Sequence, residues 1–493
     1  MTLTRTSADV VPWSDATAQL AALARREVGS RELLEHYLDR IARIGGPINA
    51  VVTLDVDRAR ARADDADRAT ARGESWGPLH GLPVTVKDCL ETAGLRTTAG
   101  AAEYADHVPV RDADAVARLR AAGAVLFGKT NVPAYAADCQ TYNTVFGTTS
   151  NPWDLTRAVG GSSGGSAAAL AAGLTALELG SDLGGSIRNP AGYCGVYGLR
   201  PSVGLIPTRG HVPGPPGSLA PIDLGTVGPL ARSAADLGLA LDVLAGPDEA
   251  AAVAWRLALP PPRAGSLTGY RVAAWLDDAF CPVDAEVLRV LGAAVDAVRS
   301  AGATVTEARP CALRDAERLA QRLIQSAFGG AYPDAVFDRL VRRAAAADPE
   351  DDSAPVRHAR NVTARARDVA VAREEQARVK AGCAAFFRDH DVLVCPITPT
   401  AAIPHDHTPD VDARRITVNG RPRPYGDQIP WASLPGLCGL PAAVVPAGLT
   451  RDGLPVGLQV IGPFLEDRTV LDVAGRIGAL IGPLVPPRLE QEQ

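Results

Sequence analysis

From Ser30 onward, Leu33, Leu34, Tyr37, Leu38, Ile41 and Ile44 recur at helical spacing and give one buried stripe. Ser30 reads as the N-cap of that helix, with Glu32 in its first turn. A second, charged helix is predicted over residues 56–72. The stretch from Leu82 to Asp88 then alternates, so that Val84 and Val86 fall on one face of a strand and Thr85 and Lys87 on the other. Residues 114–122 predict a helix closed by Gly123, and 124–128 a strand. After a Gly/Ser loop at 160–166, the pattern predicts a helix over 167–172, a strand over 174–179 and a tight loop over 182–186. Strand-like runs return at 391–395, 442–445 and 456–461, preceded by a helix-rich segment from about 284 to 387. Alternating strands and helices imply an α/β sheet with helices on both faces. No repeat or low-complexity linker divides the 493 residues, and the run Leu259-Pro260-Pro261-Pro262 is the best surface connection. A single large domain is expected, against the length prior of roughly three.

Composition narrows the function classes. Hydrophobic residues make up 46% and charged residues 22%, ordinary for a soluble globular chain. The formal charge of −6 offers nothing to nucleic acid or an anionic membrane, and the arginines are interspersed with acids. The eight cysteines are scattered without a C-x-x-C pair, which argues for free thiols in a reducing, cytoplasmic setting. Residues 1–6 carry no apolar signal core, and the uncharged stretch 158–177 is too rich in Gly and Ser to read as a membrane span.

Three features carry the chemistry. Lys87, the only lysine for a long way on either side, ends an apolar strand, where it must lose its charge or find a partner; adjacent Asp88 is the simple one. The loop Gly160-Gly161-Ser162-Ser163-Gly164-Gly165-Ser166 precedes a helix and exposes backbone N–H groups, but no lysine follows it as in a phosphate loop. The third feature is Gly180-Ser181-Asp182-Leu183-Gly184-Gly185-Ser186-Ile187-Arg188. There the N–H groups of Leu183, Gly184, Gly185 and Ser186 are placed to converge as an oxyanion hole, with Ser186 an exposed nucleophile. No histidine lies in the motif region to complete a Ser-His-Asp triad. His405-x-His407 sits beside prolines and reads as a surface loop rather than a metal pair.

Together these segments resemble the amidase signature family. The likeness extends through Gly128-Lys129-Thr130-Asn131-Val132-Pro133, Asn151-Pro152-Trp153 and the run from Cys194 to Ser202. It continues more weakly through the Pro396–Thr400, Gly439–Ala442 and Gly453–Gln459 runs. The resemblance implies a mixed, mostly parallel β-sheet core covered by helices on both faces. The signature core would occupy roughly residues 75–210, and a helix-rich insertion roughly 284–387. It implies a catalytic triad of Lys87 as base, Ser162 as bridging serine held by a cis peptide bond, and Ser186 as nucleophile, with no cofactor and no metal. The two serines lie 24 residues apart, as in the family pattern. Ser163 would support the loop by hydrogen bonds. Asp182 and Arg188 would brace the nucleophile turn, the alternative for Arg188 being contact with an anionic substrate.

The motifs leave the substrate open. Ala134-Tyr135 follows Pro133 where many members carry Glu, so that pocket wall departs from the pattern. Tyr135, Cys139, Gln140, Thr141, Tyr142 and Trp431 are candidate pocket residues. With aromatic content of only 5%, these rings point to an apolar or aryl amide or a carbamate, the substrates of an arylacylamidase or a urethanase. The expected enzyme is a monomer or homodimer acting on a small molecule. The alternative is the glutaminase subunit of a tRNA-dependent amidotransferase, which works only with partner subunits.

Overall fold

The computed structural model describes residues 13–212, 216–221 and 223–484, so the N-terminal stretch 1–6 lies outside the described residues. Among these, eleven strands form one sheet. In chain order they are β1 (Val51–Leu54), β2 (Pro83–Lys87), β3 (Val125–Thr130), β4 (Glu178–Asp182), β5 (Tyr197–Arg200) and β6 (Thr226–Ala231), followed by β7 (Arg271–Ala274), β8 (Thr304–Glu307), β9 (Val392–Pro396), β10 (Ala442–Leu449) and β11 (Pro455–Ile461). They lie side by side as β1-β3-β2-β4-β6-β5-β10-β11-β9-β7-β8.

The sheet is mixed, but the parallel bias expected of it does not hold. Parallel pairing joins β3 to β2, β2 to β4, β9 to β7 and β7 to β8. The six other neighbouring pairs are antiparallel. The central strands account for this. β10 and β11 are joined by a short turn, with no helix to carry a crossover, so they pair as a hairpin.

Each face of the sheet has its own core. On β10, Ala443 and Val445 point into the larger cluster, and Val444 between them points into a second one. That second cluster is closed by the helices Gly164–Ala171 and Arg188–Cys194, through Ala167, Leu170, Ile187 and Ala191. β2 obeys the same alternation. Val84 and Val86 enter the larger core, whereas Thr85 and Lys87 reach residues that flank or follow the serine helix's sheet face, Glu178 and Ser162. All five residues of β2 are buried, so a lysine at its end is carried into the interior by register alone.

Local predictions shift in instructive ways. The charged helix runs over Val56–Ala71, and the helix before Gly123 over Asp114–Ala121. The serine helix begins at Gly164, three residues earlier than its alanines indicate, and β4 begins only at Glu178. Strands β1, β5, β6, β7 and β8 carry no pattern that singled them out. Ser30 is the first helical residue of Ser30–Ile48, not its cap. The cap is Asp67 of the neighbouring helix, whose carboxylate accepts from Ser30 N (2.7 Å) and Arg31 N (3.0 Å), while Ser30 Oγ donates to the Gly81 carbonyl (2.7 Å). Pro260, Pro261 and Pro262 are exposed and outside regular structure. All eight cysteines are free thiols, and no described helix is long and apolar enough to cross a membrane.

Asp67→Ala removes a carboxylate that satisfies two N-terminal donors of another helix. We expect it to lower the unfolding free energy by about 1–2 kcal/mol in urea denaturation.

Candidate functional site

Lys87 sits at the end of β2 with none of its surface exposed. Its neighbour Asp88 does not pair with it, because Asp88 Oδ2 is taken by the backbone N–H (3.1 Å) and hydroxyl of Thr98. Among the described residues no carboxylate forms a salt bridge with Lys87. The amine meets two hydroxyls instead, Ser162 Oγ at 2.7 Å and Ser181 Oγ at 2.9 Å. Burial drives its pKa well below the ordinary lysine value, against smaller upward pulls from Cys89, Asp182 and Glu178.

A second buried lysine shows what is particular about this one. Lys129 on β3 is also fully buried, and burial pushes it down to about 8. Its amine donates to the Leu90 carbonyl, Thr92 Oγ1 (2.9 Å) and Thr97 Oγ1 (3.1 Å). A carbonyl only accepts, so one partner of Lys129 always demands an N–H. Both partners of Lys87 are hydroxyls, which can reverse direction and hand over a proton.

Ser162 follows a cis peptide bond from Gly161. The loop around it is clamped on three sides. Thr141 Oγ1 donates to the Gly160 carbonyl (2.9 Å). The 138–140 backbone lies so close to Gly161 that a Cβ there would sit 2.3 Å from the Asp138 carbonyl oxygen. Ser163 ties the loop to the nucleophile strand: its N–H donates to the Ser186 carbonyl (3.0 Å) and its Oγ to the Ser181 carbonyl (3.3 Å).

Ser186 stands in the turn between β4 and the helix Arg188–Cys194 and is partly exposed. Asp182 folds this turn by accepting from the N–H groups of Gly185 (3.0 Å), Ile187 (3.1 Å) and Arg188 (3.3 Å). The Gly185 N–H is therefore committed to a carboxylate. The N–H groups of Leu183, Gly184 and Ser186 make no hydrogen bond among the described residues. Gly185 adopts φ +110°, and a Cβ there would meet Ala432 Cβ at 2.9 Å, so the helix Pro430–Cys438 lies directly against the turn.

Behind the turn is a dry ion cluster. Arg188 forms a bidentate pair with Asp182 (2.8 and 2.9 Å) and donates to the Ala432 carbonyl (3.0 Å) and Gln459 Oε1 (2.6 Å). Arg200 donates to the Asp182 carbonyl (2.7 Å) and lies 3.6 Å from its carboxylate. Burial alone would raise the Asp182 carboxyl, but the two guanidiniums outweigh it and hold the group far below its usual range. Glu178, by contrast, has only hydroxyl partners, Thr85 and Thr130, and burial pushes it up to about 7.

The candidate pocket residues lie around this centre with their polar atoms engaged. Gln140 is buried and donates to the Asp406 carbonyl (2.8 Å) and Tyr425 Oη (3.2 Å). Cys139 packs beside Ala158, Tyr193 and Tyr425. Tyr142 stacks on His407 at 4.0 Å and accepts from Arg414 (2.6 Å). Trp431 is buried edge-on to Trp275, its indole N–H on the Cys281 carbonyl (3.1 Å). Tyr135 is exposed and pairs with Glu103. His405 lies 5.6 Å from His407, and no group of three or more metal-type ligands exists among the described residues.

One residue escaped sequence reasoning altogether. His211 reaches Ser181 Oγ at 2.7 Å and Cys89 Sγ at 3.4 Å, although it lies outside every motif. The absence of a histidine near the serine motifs in the chain did not carry over into space, because an isolated bridge between Leu90 and His211 folds the 208–212 segment back on the end of β2.

Asp182→Ala leaves two buried guanidiniums without their counter-ion. We expect it to lower the unfolding free energy by about 3–5 kcal/mol near neutral pH. A carboxyl held below its ordinary pKa contributes fully above that ordinary range and loses the contribution as pH falls through the folded value. The gap between wild type and variant should therefore narrow only in strong acid, as followed by urea denaturation.

Comparison with known proteins places this geometry. The family described as Amidase matches residues 32–471. The glutamyl-tRNA(Gln) amidotransferase chain of Roseiflexus sp. (strain RS-1) that corresponds to this protein is 36% identical, covering 92% of this chain and 93% of its own. Two solved structures superpose along nearly the whole length. One is a chain of the inhibitor-bound complex said to reveal the evolutionary origins of an s-triazine catabolic enzyme. It has a TM-score of 0.80 and 30% identity, covering 96% of this chain and 100% of that one. The other is a bacterial aryl acylamidase of the amidase signature family, with a TM-score of 0.79 and 26% identity, covering 95% and 96%. The chain therefore belongs to the amidase family, as an amidase signature hydrolase acting on carbon–nitrogen bonds.

Proposed function

We propose that this protein hydrolyses a small, uncharged, apolar or aryl amide or carbamate through an acyl-enzyme on Ser186, with Ser162 and Lys87 relaying the proton. The observation that carries the reading is the buried Lys87 amine, held 2.7 Å from Ser162 Oγ with no carboxylate partner. An amine in that setting favours its neutral form and is a base near neutral pH. Ser186 attacks the substrate carbonyl while its proton passes to Ser162 and the Ser162 proton to Lys87. The oxyanion rests on the N–H groups of Leu183, Gly184 and Ser186; that of Gly185 serves Asp182. The same relay returns a proton to the leaving nitrogen. Water then enters, gives its proton to the relay and frees the acid.

Two observations support an uncharged substrate. Asp182, Arg188 and Arg200, the charged side chains that brace the turn, are buried and committed to one another. Ile429 and Ala432 face the two glycines of the turn and supply apolar surface. Glutamine would need opposite charges for its ammonium and carboxylate, and this cluster offers neither. The likeness to the amidotransferase chain favours the competing reading, a glutaminase working with partner subunits, and a substrate panel separates the two. Ammonia or amine release by the purified chain from aryl amides, aliphatic amides and carbamates supports the first reading. Turnover of glutamine only in the presence of partner subunits replaces it. The free thiols fit a reducing cytoplasm.

Ser186→Ala should lower kcat by roughly 10⁴–10⁶-fold, Lys87→Ala by about 10³-fold or more, and Ser162→Ala by less, since water partly replaces a relay hydroxyl. The rate should rise with pH as Lys87 loses its proton, with a midpoint below that of an ordinary lysine. A profile flat from pH 6 to 9 excludes Lys87 as the base.

A further inference from the structure

His211 has no part in the mechanism above, yet it forms the outer end of a chain of close contacts. His211 Nε2 is 2.7 Å from Ser181 Oγ, which is 2.9 Å from Lys87 Nζ, which is 2.7 Å from Ser162 Oγ. Ser181 has a single hydrogen and three neighbours to choose from: the Lys87 amine, the His211 imidazole and, at 3.7 Å, the Cys89 thiol. The choice matters for catalysis. A neutral lysine has two N–H bonds and one lone pair. If Ser181 donated to that lone pair, the amine would have nothing left with which to take the Ser162 proton.

We infer that His211 is a positioning residue for the general base: its bare Nε2 accepts the Ser181 hydrogen, so that Ser181 accepts from Lys87 and the lysine lone pair is left facing Ser162. This rests on the proposed relay and extends it by one hydroxyl and one ring. Several features of the site fit. Nδ1 is buried and bonds no other residue, and the carbonyl of His211 itself favours a proton there, which leaves Nε2 as the acceptor. Burial, with the nearby Lys87, holds the imidazole down to about 3, so it stays neutral wherever the enzyme would work. A thiol is a weak donor, and at 3.4 Å from Nε2 Cys89 competes poorly with a hydroxyl at 2.7 Å.

The arrangement also acts on the strength of the base. A hydroxyl that donates to an imidazole is a better acceptor for an N–H, so His211 stabilises the lysine ammonium through Ser181. The other ionisable groups acting on Lys87 are Cys89 on the adjoining turn and Asp182 and Glu178 on β4. Replacing His211 by Phe keeps the ring and deletes the acceptor. It should make Lys87 a weaker base, with its rising limb moved to lower pH by up to about one unit. A purely structural role predicts the opposite, because a loosened site admits water and moves the limb up towards an ordinary lysine.

Two measurements test the inference. The first is the ¹⁵N spectrum of the imidazoles in the full chain labelled at histidine, with His211 assigned by its absence in His211→Phe or His211→Gln. A neutral ring protonated at Nδ1 from pH 5 to 8 is the expected result. Protonation at Nε2, or titration inside that range, overturns the inference whether or not Ser186 is the nucleophile. The second is kinetic. His211→Phe should lose about tenfold in kcat with KM within about twofold and the limb shifted down, and His211→Gln, whose carbonyl replaces the Nε2 acceptor, should recover most of it. An upward or absent shift, or equal loss in both variants, overturns it. Full activity of Ser186→Ala would instead overturn the proposed function, leaving the spectrum to decide on the hydrogen bond.

Discussion

The organisation of this molecule turns on an amine kept out of water without a counter-ion. Placing a lysine inside a protein normally requires a carboxylate beside it or the loss of its proton. Here the adjacent carboxylate is diverted to Thr98, and the amine is left between two hydroxyls. Glu178 acts on it from β4, but burial keeps that acid protonated up to about 7, so little negative charge reaches the lysine in the acidic half of the pH range. The ionised carboxylate of Asp182 is neutralised by two guanidiniums before its field reaches the amine.

Two kinds of polar interior thus lie a few residues apart, with different tasks. The Asp182–Arg188–Arg200 cluster is ionised, rigid and saturated with hydrogen bonds. It fixes the turn that presents Ser186 and aims the remaining N–H groups of Leu183, Gly184 and Ser186 outward. The chain Ser162–Lys87–Ser181–His211 is neutral and made of groups that both give and take a hydrogen. Ionised groups suit positioning because their geometry is strongly favoured. Neutral hydroxyls suit proton transfer because reversing them costs little. Ser163 joins the two, bonding at once to the turn of the nucleophile and to the strand of Ser181.

Much of the site was readable in the chain. Alternation along Val84–Lys87 fixed which way Lys87 points, since a strand has only two faces and Val84 and Val86 claim the greasy one. Glycines around Ser162 and Ser186 signalled close backbone approaches, and the structure has them at Gly161 and Gly185. Other elements were not readable. β1, β5 and β8 are four residues each and offer no periodicity long enough to read. The cap of the helix at Ser30 comes from Asp67, 37 residues on, so local capping rules named the wrong residue.

The sequence by itself therefore determined the local geometry of the catalytic parts, because a strand's two-residue period and a glycine's freedom are properties of a few neighbouring residues. Tertiary structure alone decided what surrounds them. Whether Lys87 keeps Asp88 as a partner, which N–H groups of the turn remain available and which histidine reaches Ser181 all depend on segments tens to hundreds of residues away. Hydrogen bonds and desolvation act through space, and the order of residues along the chain does not record which groups folding brings within 3 Å.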